Sequence, residues 1–236
     1  MRKCIISTFI TLLAFVSTTK AQGFYLNVGY QIGNLGKGAN SLKNEVFYMN
    51  NVKYSDLSNP ISYPGFVHGI DVELMAGKLE PKSIYFFWNW SNSHVVARGT
   101  AIDPALSNEM DIAIKYRINN LTLTTFGFKI SDWLGIAYSP IDIGKLKVLY
   151  KNSGEEDAHS YIDFYNVEKG ILSDYTIYGS TYYLDFFLKK RLRIHLSYYK
   201  SWGGIDLRDK EDIETVHYYN ADRFHVSLAY MLRLNK

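Results

Sequence analysis

Apolar and polar residues alternate along most of this chain with a period of two. In the segment 24–32, Phe24, Leu26 and Val28 fall on one face, opposite Asn27 and Gly29. Successive side chains of a β-strand point to opposite faces, so this pattern predicts strands with one apolar face. The same alternation returns in further segments of about 10 residues, as far as the C-terminal segment 224–234. An all-β chain is therefore predicted.

The alternating segments predict eight strands joined in sequence. They begin near Phe24, Phe66, Ile84, Met110, Leu121, Thr181, Leu192 and Phe224. Asn119–Asn120 is a two-residue hairpin signal between the fourth and fifth strands. The apolar parity of the fifth strand changes near Thr124–Thr125, which predicts a β-bulge. Ser131–Thr176 has the weakest pattern, and one further hairpin there gives the alternative of ten strands.

The connections between the predicted strands alternate between long and short. Barrels of outer membranes have short turns on the periplasmic side and long loops outside. Strands of about 10 residues are long enough to cross a bilayer when tilted, and a membrane-spanning β-chain must close on itself. The pattern predicts an antiparallel, up-and-down transmembrane β-barrel.

The first 21 residues have the layout of a secretory signal peptide. Met1–Lys3 is basic, Ile5–Val16 is a short apolar run, and Thr19 and Ala21 are small residues at a cleavage site. We expect cleavage before Gln22, with 1–21 as the signal and 22–236 as the barrel domain. Export across the inner membrane places the mature chain in the cell envelope.

Composition then narrows the functional classes. Three of the 26 Lys and Arg residues lie in the predicted signal, so the mature chain carries 23 basic and 23 acidic residues. This balance gives no support to a nucleic-acid partner. The only cysteine, Cys4, also lies in the signal, which excludes an internal disulfide or a cysteine metal site. A mean hydropathy of −0.14 suits a barrel with a polar interior.

Charged residues recur on the polar faces of the predicted strands. The predicted luminal charge network consists of Asp71, Glu73, Lys115, Arg117, Arg193 and Arg233. Eight strands enclose a lumen that side chains can fill, and an unpaired buried charge is costly. We therefore expect a salt-bridged, mostly closed lumen. A narrow channel for ions or small solutes is the alternative.

Two His-x-Ser pairs, His195–Ser197 and His225–Ser227, are the only catalytic candidates. Their spacing is similar to that in the outer-membrane lipid A deacylase family, and histidine can activate a hydroxyl nucleophile. Both pairs lie on the predicted lumen face, whereas a lipid-modifying enzyme needs them facing lipid. We predict no catalytic residue, no cofactor and no metal, with a lipid A-modifying hydrolase using His195 and Ser197 as the second alternative.

Aromatic residues are placed where a membrane-interface girdle is expected. The predicted outer members are Tyr30, Trp88, Trp90 and Trp202, and the predicted inner members are Phe24, Tyr116 and Tyr230.

Over the whole mature chain, the arrangement resembles the small outer-membrane β-barrels of Gram-negative bacteria, the OmpA/OmpX-like class. The resemblance is one of pattern, and this chain ends in Leu234–Lys236 without the terminal phenylalanine such barrels often carry. It implies an outer-membrane location and contact with outer-membrane lipid and the barrel-insertion machinery. It also implies a structural or surface-interaction role, in which long outer loops meet an extracellular ligand that the sequence does not identify.

Overall fold

The structure is a computed structural model. It describes residues 23–34, 46, 50–51, 57–62, 65–102, 109–152, 162–163, 176–188, 191–202, 204–208, 216–220 and 222–235. The expected signal peptide lies outside the described residues. The described strands are β1 Gly23–Asn34, β2 Leu57–Ser62, β3 Val67–Gly77, β4 Ser83–Ile102, β5 Glu109–Lys129, β6 Leu134–Asn152, β7 Ile162–Asp163, β8 Thr176–Leu188, β9 Leu192–Ser201, β10 Gly204–Arg208, β11 Val216–Asn220 and β12 Arg223–Arg233.

Eight of these strands close into a barrel. Each ring strand pairs antiparallel with its neighbours, in the order β1, β3, β4, β5, β6, β8, β9 and β12, and β12 returns to β1. Closure removes the unpaired edges that an open sheet exposes. The predicted eight-stranded, antiparallel up-and-down barrel is confirmed. In the described part of the chain, no helix is long and apolar enough to cross a membrane.

The strand boundaries differ from prediction in polar segments that predict loops, since β4 continues to Ile102 and β2, β10 and β11 lie in such segments, and they differ again in β5. β5 runs without a turn through Asn119–Asn120, because Asn120 is paired with Ser91 of β4 on one side and with Gly144 of β6 on the other. The predicted hairpin there is wrong, since two continuous neighbours override the local turn signal. The two strands predicted on either side of this turn are therefore one strand, β5. The count of eight is restored by β6, which lies inside the weakly patterned segment Ser131–Thr176.

The expected irregularity near Thr124–Thr125 is present. The β5–β6 register shifts between Thr122 and Thr124 and again between Thr124 and Phe126, and the buried positions change from Thr122 to Thr125. Even-numbered residues of β5 therefore face inward above this bulge, and odd-numbered ones face inward below it. This switch decides where several candidate residues point.

The two ends of the barrel differ. The short connections 78–82 and 130–133, the end of β8 and the start of β9 lie at one end, called here the turn end, together with the C-terminal segment. The opposite end is the loop end. Strands β4, β5 and β6 have 20, 21 and 19 residues, against 12 and 11 for β1 and β3. They continue past the other ring strands at the loop end, where β2 pairs with β4 and β7 pairs with β6.

The outside of the ring carries large exposed apolar side chains, which we call the apolar band. Its members include Val28, Tyr30, Ile70, Leu74, Ile84, Trp90, Leu121, Phe126, Phe128, Ile136, Tyr138, Ile141, Tyr182, Leu192, Tyr198, Val226, Leu228, Tyr230 and Leu232. Soluble proteins rarely expose a continuous apolar surface of this extent. A closed barrel with an apolar exterior and a polar interior is the arrangement that hydrocarbon requires.

Candidate functional site

The centre of the lumen is filled by one arginine held between two acids. The Arg193 guanidinium forms an ion pair with Glu73 through Nη1, and its Nη2 lies 2.8 Å from Asp185 Oδ2. Arg193 Nε also donates to Asp185 Oδ1 at 3.1 Å, so the contact with Asp185 is bidentate. All three side chains are at most 1% exposed. Because the guanidinium stays charged, this pairing compensates two buried carboxylates.

Asp71 and His195 extend this cluster toward the loop end. Asp71 Oδ1 accepts a hydrogen bond of 2.6 Å from Ser227 Oγ, and Asp71 Oδ2 lies 3.4 Å from His195 Nε2. His195 Nδ1 lies 4.0 Å from both Glu73 Oε2 and Asp185 Oδ1. We call Asp71, Glu73, Asp185, Arg193 and His195 the luminal ion cluster. Its members come from β3, β8 and β9, so the cluster links strands across the interior.

A glycine beside the cluster, Gly29, lets the Asp71 carboxylate approach the barrel backbone. Gly29 of β1 lies opposite Asp71 of β3, and a Cβ at Gly29 would lie 2.6 Å from Asp71 Oδ1 and 2.8 Å from Ser227 Oγ. Asp71 and Ser227 therefore approach β1 this closely because Gly29 has no side chain. Asn27 of the same strand donates through Nδ2 to Glu73 Oε1 at 2.5 Å.

Other polar groups lie around the cluster in the lumen. Asp142 of β6 accepts hydrogen bonds from Thr181 and, at 2.7 Å, from Ser139. The Arg223 guanidinium, which is buried, stacks over the Tyr199 ring at 4.3 Å. Carboxylates and cations are therefore interleaved along the lumen.

Apolar side chains pack around and beyond these polar groups. A buried cluster around Arg193 consists of Met75, Tyr85, Phe87, Ala137, Tyr183, Phe187 and Met231. The Arg193 guanidinium carbon lies 4.6 Å from the Phe87 ring centroid and 5.6 Å from that of Phe187. The rings of this cluster meet edge to face, with centroid distances of 5.6 Å for Tyr85–Phe187 and 5.1 Å for Phe87–Tyr183. Toward the loop end, the buried apolar residues are Ile61, Val95, Ala97, Ile112, Ile114, Tyr116 and Ile118. The described interior is thus filled by side chains.

The structure brings together only part of the predicted luminal network. Asp71, Glu73 and Arg193 lie in the ion cluster. Lys115 and Arg117 point outward, because the β5 bulge places even-numbered residues inside above it. The prediction that these two residues face Asp71 and Glu73 across the lumen is therefore corrected.

Arg233 also lies outside the cluster. Its exposed side chain lines a cavity of about 950 Å³ at the turn end, together with Lys78, Lys129 and Arg191. This cavity opens to the surface and ends at the apolar cluster around Phe187.

Sequence reasoning placed His195 on the lumen face but left it out of the charge network, and it missed three further members of the luminal polar set. Asp185 occupies the polar face of a recognised strand, and that position was the available signal for it. Asp142 falls within the weakly patterned segment, and Arg223 falls at the first position of β12, one residue before the predicted strand. Neither had a sequence signal that connected it with the lumen.

The His-x-Ser pairs face each other across one ladder. His195 is the register partner of Ser227, and His225 is the register partner of Ser197. The Ser227 hydroxyl donates to the Asp71 carboxylate, and in the described part of the chain no hydrogen bond joins His195 to Ser197. Both histidines are buried inside the barrel. Also within the described residues, no group of three His, Cys, Asp or Glu residues is arranged to hold a metal ion.

Six of the seven predicted girdle residues lie on the outward face. Tyr30, Trp90, Trp202 and Tyr230 are exposed, and Trp88 and Phe24 are half-buried. Tyr116 is 1% exposed and lies inside. Its predicted girdle position is corrected for the same reason as Lys115, since both lie above the β5 bulge.

The fold and its surface define the class of the protein as a small membrane-spanning β-barrel with a filled lumen. No protein-family model and no curated protein matches the chain.

Three solved structures are similar to it. One is Ail, the attachment invasion locus protein of Yersinia pestis, whose structure was solved in complex with the heparin analogue sucrose octasulfate. It has 13% sequence identity and a TM-score of 0.40, and the match covers 90% of this chain and 100% of that one. Neisserial surface protein A has 9% identity and a TM-score of 0.37, covering 91% and 100%. The outer membrane protein OprG of Pseudomonas aeruginosa has 7% identity and a TM-score of 0.37, covering 90% and 97%. The fold assignment itself stands on the strand topology described above.

Proposed function

We propose that this chain is an outer-membrane β-barrel of a Gram-negative bacterium, with a closed lumen and a role in structure or surface interaction. The observation that carries the proposal is the buried pairing of Arg193 with Glu73 and Asp185. A conducting lumen of eight strands needs space along its axis, and this guanidinium occupies the axis between two acids. The ion cluster therefore serves as a plug.

Buried apolar side chains support closure. The aromatic rings of Phe87 and Phe187 pack against the Arg193 guanidinium, and the apolar side chains around Ile114 are buried where β4 and β5 continue past the ring. An ion on its way through the barrel has to pass the aromatic rings beside Arg193. Transfer of an ion past apolar side chains carries a large desolvation penalty, so these rings favour a silent barrel.

The long strands support a surface role. At about 3.3 Å per residue, the 20 residues of β4 extend for about 66 Å, whereas about 10 tilted residues cross a bilayer. About half of β4, β5 and β6 therefore projects beyond the apolar band. With β2 and β7 at its edges, this projection is an ordered five-stranded sheet, which we call the projecting sheet. It is a preorganised surface for an extracellular ligand.

The same geometry favours a non-enzymatic protein. The candidate nucleophile Ser227 already donates its hydroxyl proton to Asp71, and His195 lies inside the filled lumen. Lipid substrate outside the barrel does not reach these atoms without opening the β9–β12 ladder. We therefore place the lipid-modifying alternative behind the structural one.

Planar-bilayer recording of the refolded mature chain tests closure. We expect no step conductance, with a porin of known conductance as the positive control in the same bilayers. Steady single-channel steps from the wild-type chain contradict the plug and support the channel alternative. Fractionation of cells, with gel mobility compared before and after boiling, tests the membrane location independently.

A further inference from the structure

We propose that the outward face of the projecting sheet, directly above the apolar band, binds the phosphate groups of lipid headgroups in the surrounding membrane leaflet. This face, called here the basic face, carries His68, His94, Arg98, Lys115, Arg117 and Lys145. The inference rests on the proposed membrane position of the barrel.

The strand register assembles these residues into one surface. His94 of β4 is paired with His68 of β3 on one side and with Arg117 of β5 on the other. The two histidine rings lie 4.4 Å apart between centroids. Directly opposed side chains on a sheet are neighbours at about 5 Å, so three basic residues form a continuous row. Arg117 supplies the positive charge beside His94, because burial and the neighbouring His68, Lys115 and Arg117 hold the pKa of His94 below its ordinary value.

Neighbouring rows add the cations of lysine and arginine. Lys145 is paired with Asn119, one row nearer the apolar band, and Lys115 is paired with Val96, one row further out. Arg98 follows next, opposite Ala113. The first carboxylate of β4 or β5 on this face is Asp111, which is opposite Thr100 at the outer rim. The basic face therefore concentrates positive charge between the apolar band and Asp111.

The height of these rows matches the headgroup layer. Trp90 and Leu121 are paired and exposed at the edge of the apolar band, and His94 lies four residues beyond Trp90. Four residues measure about 13 Å along a strand and about 9 Å in height at a tilt of about 45°. The headgroup layer is about 5–8 Å thick on each side of the hydrocarbon. The row of Asn119 and Lys145, two residues beyond Trp90 and about 5 Å above it, therefore lies within this layer, and the row of His94 and Arg117 lies at its outer boundary.

A contact between Tyr30 and His68 connects the basic face with the aromatic girdle. Tyr30, an exposed residue of the apolar band, has its hydroxyl 2.8 Å from His68 Nδ1. Apolar surface, interfacial aromatic residue and basic row thus follow one another without a gap. That continuity favours a lipid phosphate over a soluble polyanion, because the same lipid molecule meets the apolar band with its chains and the basic face with its headgroup. Arg117 supplies a planar donor fork suited to phosphate oxygens.

Tryptophan quenching by brominated lipids tests the inference on the refolded mature chain. The protein is inserted into phosphatidylcholine vesicles that contain a minor fraction of either bromo-acyl phosphatidic acid or bromo-acyl phosphatidylcholine. A background with Trp133→Phe and Trp202→Phe removes the tryptophans of the turn end and of the far side of the barrel, and leaves Trp88 and Trp90 of β4 beside the basic face. We expect stronger quenching by the phosphatidic acid at low salt. The preference should shrink as salt rises.

Matched variants locate the preference. Lys115→Gln, Arg117→Gln and Lys145→Gln combined should remove it, and Arg117→Gln alone should lower it by up to roughly fivefold. The combined turn-end variant Arg191→Gln with Arg233→Gln removes two exposed cations elsewhere and should retain it. A gel-mobility shift on boiling shows that each variant has folded, and the single variant serves if the triple one does not fold.

Three outcomes overturn the inference. The first is an equal preference in wild type and basic-face variants. The second is loss of the preference from the turn-end control alone. The third is a loss of the wild-type quenching by phosphatidic acid when inorganic phosphate or a sulfated sugar is added at matched ionic strength. That result indicates a site for soluble anions. A chain that inserts into neither vesicle overturns the proposed membrane position together with this inference, and that outcome is visible in the gel assay alone.

Discussion

The Arg193 guanidinium binds Asp185 of the neighbouring strand through two parallel hydrogen bonds, Nε to Oδ1 at 3.1 Å and Nη2 to Oδ2 at 2.8 Å. Asp185 is not the register partner of Arg193, which is Phe187, so the contact runs diagonally along the β8–β9 ladder. The same guanidinium crosses the lumen to Glu73 on β3. One side chain therefore joins opposite walls of the barrel.

Arg193→Leu should destabilise the barrel strongly. The change leaves Glu73 and Asp185 buried without their cation, and breaking a buried pair in this way costs about 3–5 kcal/mol. Urea unfolding of the refolded protein in vesicles measures the loss. Adding Glu73→Gln and Asp185→Asn to Arg193→Leu should recover part of it, because the remaining groups are neutral. An additive loss of stability in the triple variant contradicts the pairing.

Gly29→Ala should disturb the Asp71 site while leaving the strand intact. The new Cβ meets Asp71 Oδ1 at 2.6 Å and Ser227 Oγ at 2.8 Å, so one of these groups has to move. Overpacking of this kind typically costs about 1–3 kcal/mol. Gly144→Ala is the matched control, because its nearest atoms lie at 3.3 Å or more and it also faces the lumen. Equal unfolding free energies for the two variants contradict the expected crowding.

The sequence predicted a closed antiparallel barrel because alternation survives averaging over a whole barrel. The total of eight agrees because two errors cancel: the predicted turn at Asn119–Asn120 divides β5 in two, and β6 lies in the segment where the pattern is weakest. The prediction failed at Lys115 and Tyr116 for a local reason. Within the membrane the apolar residues face outward, but in the projecting sheet they face the filled interior, as Ile112 and Ile114 do. Both regions have the same period of two, and the bulge at Thr124–Thr125 exchanges their phases. The predicted turn at Asn119–Asn120 separated the upper segment from that bulge.

The sequence did not predict which side chains pair with each other inside the lumen. Ser227 and Asp71 are 156 positions apart, and Arg193 and Glu73 are 120 apart. A polar face indicates that a side chain enters the lumen, but the axial level at which it lies depends on strand stagger. The stagger is set by the pairing of all eight strands in the closed barrel, so the sequence of one strand does not specify it.

Leu228→Arg should impair insertion. Leu228 is 53% exposed on the outward face in the middle of β12, where it meets hydrocarbon. Arginine near the membrane midplane costs about 2–4 kcal/mol on the lipid face of such barrels. Folding yield into vesicles, scored by gel mobility before and after boiling, measures the effect. Asn59→Arg in β2 is the control, since this exposed residue lies on the projecting sheet and should insert normally. Equal yields contradict the position of the apolar band.

Acidification should loosen the junction between β9 and β12 at the loop end. Asp222 Oδ1 accepts hydrogen bonds from Ser201 N at 2.8 Å and from Ser201 Oγ at 2.7 Å, and Lys200 Nζ lies 2.7 Å from Oδ2. Burial alone raises the pKa of the Asp222 carboxyl, but the hydrogen bonds from Lys200 and Ser201 outweigh it and hold the pKa below its ordinary value.

A carboxyl whose pKa is lowered on folding contributes stability above its unfolded pKa of about 3.9, and that contribution is lost as the pH falls through the folded value. Amide exchange at Ser201 should therefore be unchanged between neutral pH and about pH 5, after correction for the intrinsic rate, and should accelerate below about pH 4. Asp222→Asn should accelerate it at every pH and remove the acid step. Lys200→Gln should have a smaller effect, because the Lys200 side chain is 47% exposed and solvent screens its pairing with Asp222. An acid step that persists in Asp222→Asn assigns the transition to another group.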